Sequence, residues 1–124
     1  METLAPTRPQ HEVQVRTHVG KVVNPHFEPA RHATQYIAHP DFPWSKLRQT
    51  QPGVYESYVD VEPGVWTPIR IEVRGGVAQL FVHGSAQPAL IVTDMKNPPA
   101  SGRIALWIDT GTEAHFRRVR VTPY

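Results

Sequence analysis

Apolar and charged positions alternate from Trp66 to Arg74. Ile69, Ile71 and Val73 fall on one side of an extended chain, and Arg70, Glu72 and Arg74 on the other. Gly75-Gly76 then offers two residues that tolerate the positive φ of a tight hairpin turn. The run from Val77 to His83 is apolar on both sides except at Gln79, the pattern of a strand buried inside a sandwich, and a second turn opens at His83-Gly84-Ser85. The same period predicts a strand over His11–Val19, with Val13 and Val15 opposite Glu12, Gln14 and Arg16. It predicts further strands at Lys21–Val23, Thr34–Ala38 and Val54–Val61, with His26–His32 irregular. In Val54–Val61, Ser57, Val59 and Val61 face one way and Glu56, Tyr58 and Asp60 the other. Ala89–Thr93 and Arg103–Ile108 are apolar throughout and predict strands buried on both faces. Ala114–Val121 predicts the closing strand, and its parity breaks between Phe116 and the pair Val119 and Val121, which places a bulge near Arg117-Arg118.

Pro40, Pro43 and Pro52 make His39–Pro52 the longest loop, with room for one helical turn around Ser45–Gln49. The total is about eight strands separated by turns, which points to an all-β sandwich or barrel. The 124 residues include 13 Pro and 8 Gly that punctuate apolar runs and do not gather into a linker. Residues 1–10 therefore read as a flexible lead-in and 11–124 as a single β-sandwich domain. A net charge of +2 with scattered Lys and Arg argues against a nucleic-acid partner. With 0 Cys there is neither a disulfide framework nor a thiolate metal site. No segment has the pattern of a signal peptide or a membrane span, so the compartment stays unknown, with the cytoplasm as default.

Trp66-x-x-Ile69-x-Ile71-x-Val73, Gly75-Gly76 and Leu80-Phe81-Val82-x-Gly84 resemble the central hairpin of concanavalin A-like jelly rolls, among them laminin G-type modules and 3-keto-disaccharide hydrolase-like domains. Gly102-Arg103-Ile104-Ala105-Leu106-Trp107 and Phe116-Arg117-x-Val119-x-Val121 are similar to that family's closing pair, with Ala105 in place of a glycine and Arg118 in place of an asparagine. The resemblance covers mainly residues 54–124. It implies an antiparallel two-sheet jelly-roll sandwich, shortened at the N-terminus, because the family has more strands ahead of the hairpin than residues 1–53 supply. An uncovered sheet in such a sandwich implies self-association or a partner chain.

For chemistry, three constellations stand out. Aromatic rings stack on the C–H faces of sugars, and Trp44 in the proline-rich loop and Tyr58 on a polar strand face suit that role. Gln35, His39, Trp44 and Tyr58 are the expected contacts of a non-catalytic carbohydrate-binding or interaction module. Trp66 and Trp107, beside buried strands, are expected in the core. Glu56, Asp60 and Glu62 form a carboxylate row and define the alternative, a hydrolase of glycosides or 3-keto sugars using one carboxylate as acid or base. Tyr58 stands where the related glucanases carry the first glutamate of Glu-x-Asp-x-Glu. The histidines, His11, His18, His26, His32, His39, His83 and His115, show no metal-ligand spacing. No cofactor is indicated, and calcium is compatible with the fold without being indicated.

Overall fold

A computed structural model describes residues 10–18, 34–96 and 102–123. The predicted strand at Lys21–Val23, the irregular His26–His32 stretch and most of the lead-in lie outside the described residues. The described chain is all-β with one short helix. Its elements are β1 (Gln10–His18), β2 (Thr34–Gln35), α1 (Trp44–Thr50), β3 (Glu56–Ser57), β4 (Trp66–Arg74), β5 (Val77–Val82), β6 (Leu90–Val92) and β7 (Glu113–Thr122). Five strands form an antiparallel sheet in the order β6-β5-β4-β1-β7, and β2-β3 form a second, two-stranded antiparallel sheet.

The hairpin pairs Ile69 with Val82 and Arg74 with Val77, so Gly75-Gly76 is a two-residue turn. Only Gly75 has positive φ, +58°, the sign pattern of a type II′ turn with glycine in the first central position. At the next turn His83 (φ 61°) and Gly84 (φ 68°) are both left-handed and Ser85 N–H donates to Val82 O. That is the pattern of type I′.

Between β1 and β7 the register moves from Glu12↔Arg120 to Gln14↔Arg117, one extra residue on β7. Arg118 lies at φ 55° inside that interval, so the bulge falls where the broken parity placed it.

Four expectations are corrected. Val54–Val61 pairs only at Glu56–Ser57, because its neighbour β2 is two residues long before the chain turns back through the Ala38–Phe42 bridge. For the same reason Thr34–Ala38 is a strand only over its first two residues. In Ala89–Thr93, β6 is an edge strand with Ile91 46% exposed and Val92 2%, so it buries one face and not both. Arg103–Ile108 forms no strand and is exposed along its whole length, with Trp107 at 79% outside any core. No described strand lies alongside it to complete a ladder.

The core gathers Leu47 of α1, Tyr55 and Val92, each at most 2% exposed, with Tyr36, Phe42, Ala78, Leu90 and Met95 packed around them. The helix and the two-stranded sheet thus cover the β5–β6 end of the large sheet. On that sheet's other face Phe81 is buried under the Arg70 guanidinium, 4.1 Å from the ring centre.

Candidate functional site

The expected helical turn is a seven-residue helix. Pro43, extended at φ -71° and ψ 162°, starts it, and its carbonyl accepts the Leu47 N–H at 3.1 Å. Gln51 closes it by donating to Leu47 O at 2.9 Å, ahead of Pro52-Gly53. Beginning at Trp44 sets Leu47 inward and puts Trp44 and Arg48, four apart, on neighbouring turns of one face.

The Arg48 guanidinium lies 4.6 Å from the Trp44 ring centre, a cation–π contact, and reaches across to β3. There Arg48 Nε donates to both Glu56 carboxylate oxygens, at 3.1 and 3.0 Å, and Nη2 to Oε2 at 2.9 Å. The Glu56 side chain is 8% exposed and that of Arg48 34%. Gln35 stands directly opposite Glu56 in the β2–β3 register. Its Nε2 donates to Tyr36 O at 2.8 Å, while its buried Oε1 takes no hydrogen bond. Trp44 is 52% exposed, so much of the indole stays in water. The result is a continuous strip from Trp44 through Arg48 and Glu56 to Gln35, with the aromatic ring held by a cation that is itself held by a carboxylate.

The remaining expected residues lie apart from that strip. His39 is exposed at the turn before the cis His39-Pro40 bond. Tyr58 is 55% exposed, and its hydroxyl donates to Asp60 Oδ1. Accepting that proton, Asp60 raises Tyr58 above its ordinary 10.0, with desolvation and the carboxylate charge adding to the effect. The His83 ring nitrogen Nε2 bonds Asp60 O, which ties this loop to the I′ turn. Of the carboxylate row, Glu56 has both oxygens on Arg48, Asp60 accepts from Tyr58, and Glu62 is exposed in the turn where its carbonyl accepts from Val65 N–H at 3.4 Å.

A further polar cluster escaped the sequence reading. Asp94 Oδ2 accepts from Tyr55 Oη at 2.6 Å and from Lys96 Nζ at 2.8 Å, and Lys96 N–H donates to Tyr36 Oη at 2.8 Å. Hydrogen bonds from Lys96 first and Tyr55 second hold the Asp94 carboxyl below its ordinary 3.8. The same contact with Asp94, and secondly with Tyr55, raises Lys96 above its ordinary 10.5. The one signal that could have found it is the Asp94-x-Lys96 spacing after a buried strand. Arg48 was missed for a different reason: its i,i+4 relation to Trp44 emerges only once the helix is known to begin at Trp44.

Two shallow depressions lie on the charged face of β4–β5, away from Trp44. One of about 320 Å³ is lined by Glu72, Arg74, Val77 and Gln79, and one of about 180 Å³ by Pro68, Ile69, Arg70, Phe81, Gly84 and Ser85. Among the described residues no three His, Asp or Glu side chains come together as a metal site, and no helix is long and apolar enough to cross a membrane. Comparison with protein-family models, curated proteins and solved structures gave no match.

Proposed function

We propose that the chain is a non-catalytic carbohydrate-binding module of the concanavalin A-like jelly-roll type, with the Trp44 strip as its contact surface. The observation that supports this reading is the Trp44–Arg48–Glu56 arrangement. An indole half in water stacks on a guanidinium that is itself fixed by a two-pronged ion pair to a nearly buried carboxylate. A ring fixed before the ligand arrives loses little freedom on binding, and that favours affinity. The Arg48 side chain, 34% exposed, supplies N–H donors for sugar hydroxyls beside that ring. Tyr58 and His39 lie apart from this strip and are not part of the proposed surface. Of the carboxylates of the hydrolase alternative, Glu56 is held by Arg48 and Asp60 by Tyr58, Glu62 stands exposed in a turn, and no observation favours that reading.

The test is a glycan array on the wild-type chain, followed by titration of the best glycan against Trp44→Ala. Because Trp44 is exposed, the variant keeps the far-ultraviolet circular dichroism of the parent, and its affinity falls by about tenfold or more, the loss expected for one stacked ring. Wild-type protein that retains no glycan, or a Trp44→Ala variant of unchanged affinity, defeats the proposal.

A further inference from the structure

Residues 103–108, Arg-Ile-Ala-Leu-Trp-Ile, are a strand sequence that no described strand pairs with. All six are exposed, and Ile104 (52%), Leu106 (47%), Trp107 (79%) and Ile108 (48%) put more apolar side chain into water than any other six-residue stretch described. Among the described residues the first backbone hydrogen bond after Gly102 is the turn bond from Thr112 N–H to Asp109 O at 3.1 Å. Ladder groups that no described strand takes up, on an apolar extended segment, are a template for another strand.

The sheet edges nearest in sequence are poor partners. Folding back on β7 through the Asp109–Thr112 turn would set Ile108 opposite Glu113, Leu106 opposite His115, Ile104 opposite Arg117 and Arg103 opposite Arg118. Those four pairs join an apolar side chain to a polar one or set like charges face to face. The two between them, Trp107 opposite Ala114 and Ala105 opposite Phe116, are apolar, but the Ile104, Leu106 and Ile108 face would meet only Arg117, His115 and Glu113. Arg118 is also at φ 55° in the bulge, which interrupts the β7 ladder at that point. At the other end of the sheet β6 offers three residues.

We infer that this segment pairs with the same segment of a second copy of the chain, antiparallel about a two-fold axis at Leu106. In that register Arg103 faces Asp109, Ile104 faces Ile108, Ala105 faces Trp107 and Leu106 faces itself. One face of the ribbon is wholly Ile and Leu. The other sets a small residue against the indole and closes each end with an ion pair. Arg103 has no partner among the described residues, and Asp109 spends Oδ1 on Thr110 N–H at 2.8 Å, which leaves Oδ2 for the guanidinium. The pairing is isologous, as a two-fold dimer requires, and its charge complementarity belongs to this register alone.

The experiment is sedimentation equilibrium of the full chain over a wide concentration range. Wild type dimerises; Leu106→Lys, which sets two ammonium groups together at the axis, is monomeric with unchanged circular dichroism. Arg103→Asp weakens the dimer by about tenfold or more, because it faces Asp109 with a second carboxylate in both halves. Arg103→Asp with Asp109→Arg restores it, which no general folding defect would do. The chain has 0 Cys, so Leu106→Cys gives a disulfide-linked dimer on mild oxidation whereas Ile104→Cys, facing Ile108, does not. A wild type that is monomeric throughout, a dimer indifferent to Leu106→Lys, or a double exchange that fails to restore association overturns the inference.

Discussion

Asp94 shows how one exposed carboxylate gathers the ends of several elements: Lys96 from its own loop, and Tyr55, 1% exposed, from the core. Its carboxyl is held below 3.8 mainly by the Lys96 hydrogen bond and then by that of Tyr55. A depressed folded value means that the charged form favours the native state. That contribution is complete above the ordinary 3.8 and is lost as the pH falls through the lowered value. Lys96 acts at the other end of the scale, its contribution complete below 10.5 and lost as pH rises beyond it. Urea denaturation of wild type and Asp94→Asn at pH 6 and at successively lower pH should therefore show the variant less stable at pH 6. The gap should close as the solution is acidified below 4. Since Asp94 is open to solvent, added salt should narrow the gap at pH 6 as well. A gap that is the same at every pH would mean that the carboxylate's charge plays no part.

At the level of elements, what could be read in advance was what is settled locally. Gly75-Gly76 and His83-Gly84 announce their turns because left-handed φ is a property of single residues. The β7 bulge announces itself because Phe116 and Val119 cannot share a face without one extra residue between them. Val54–Val61 and Arg103–Ile108 have equally good strand sequences, yet the first is realised only at Glu56–Ser57 and the second forms no strand. A strand needs a neighbour of matching length, and the length of β2 is decided by a turn at Ala38–Phe42 that the β-pattern of residues 54–61 does not contain. The Trp44 strip divides the same way. Exposure of the indole follows from the proline-rich loop, whereas Arg48 on Glu56 depends on where α1 starts and on the β2–β3 register together. Arg118 supplies the quantitative check. A side chain with a Cβ held at φ 55° costs about 1–2 kcal/mol that glycine does not incur, and a β-branched side chain fares worst. Arg118→Gly should be at least as stable as wild type, and Arg118→Val less stable than Arg118→Gly by about 1–2 kcal/mol in chemical denaturation. Equal midpoints for the two variants would place the bulge elsewhere.

For the molecule as a whole, β1 is the joint. It pairs with β4 on one side and β7 on the other, bringing Gln10 beside both Glu72 and Thr122. Among the described strands β7 has no other neighbour, so the end of the chain is attached through its beginning. Val15 sits inside both ladders, opposite Thr67 and Phe116. Proline there removes an amide hydrogen that one of the two neighbours needs and sets its ring against the adjoining backbone, an arrangement tolerated only at sheet edges. Val15→Pro should lower the unfolding free energy by about 1–3 kcal/mol, a large share of what a domain of this size has to lose. Hydrogen exchange should show where the loss falls. Amides of β7 should lose protection first and most, because detaching β1 leaves them no ladder. Amides of the β4–β5 hairpin, still paired with each other, should keep more of theirs. Uniform loss across both elements would instead make the five strands one cooperative unit, and unchanged protection in β7 would contradict the strand order itself.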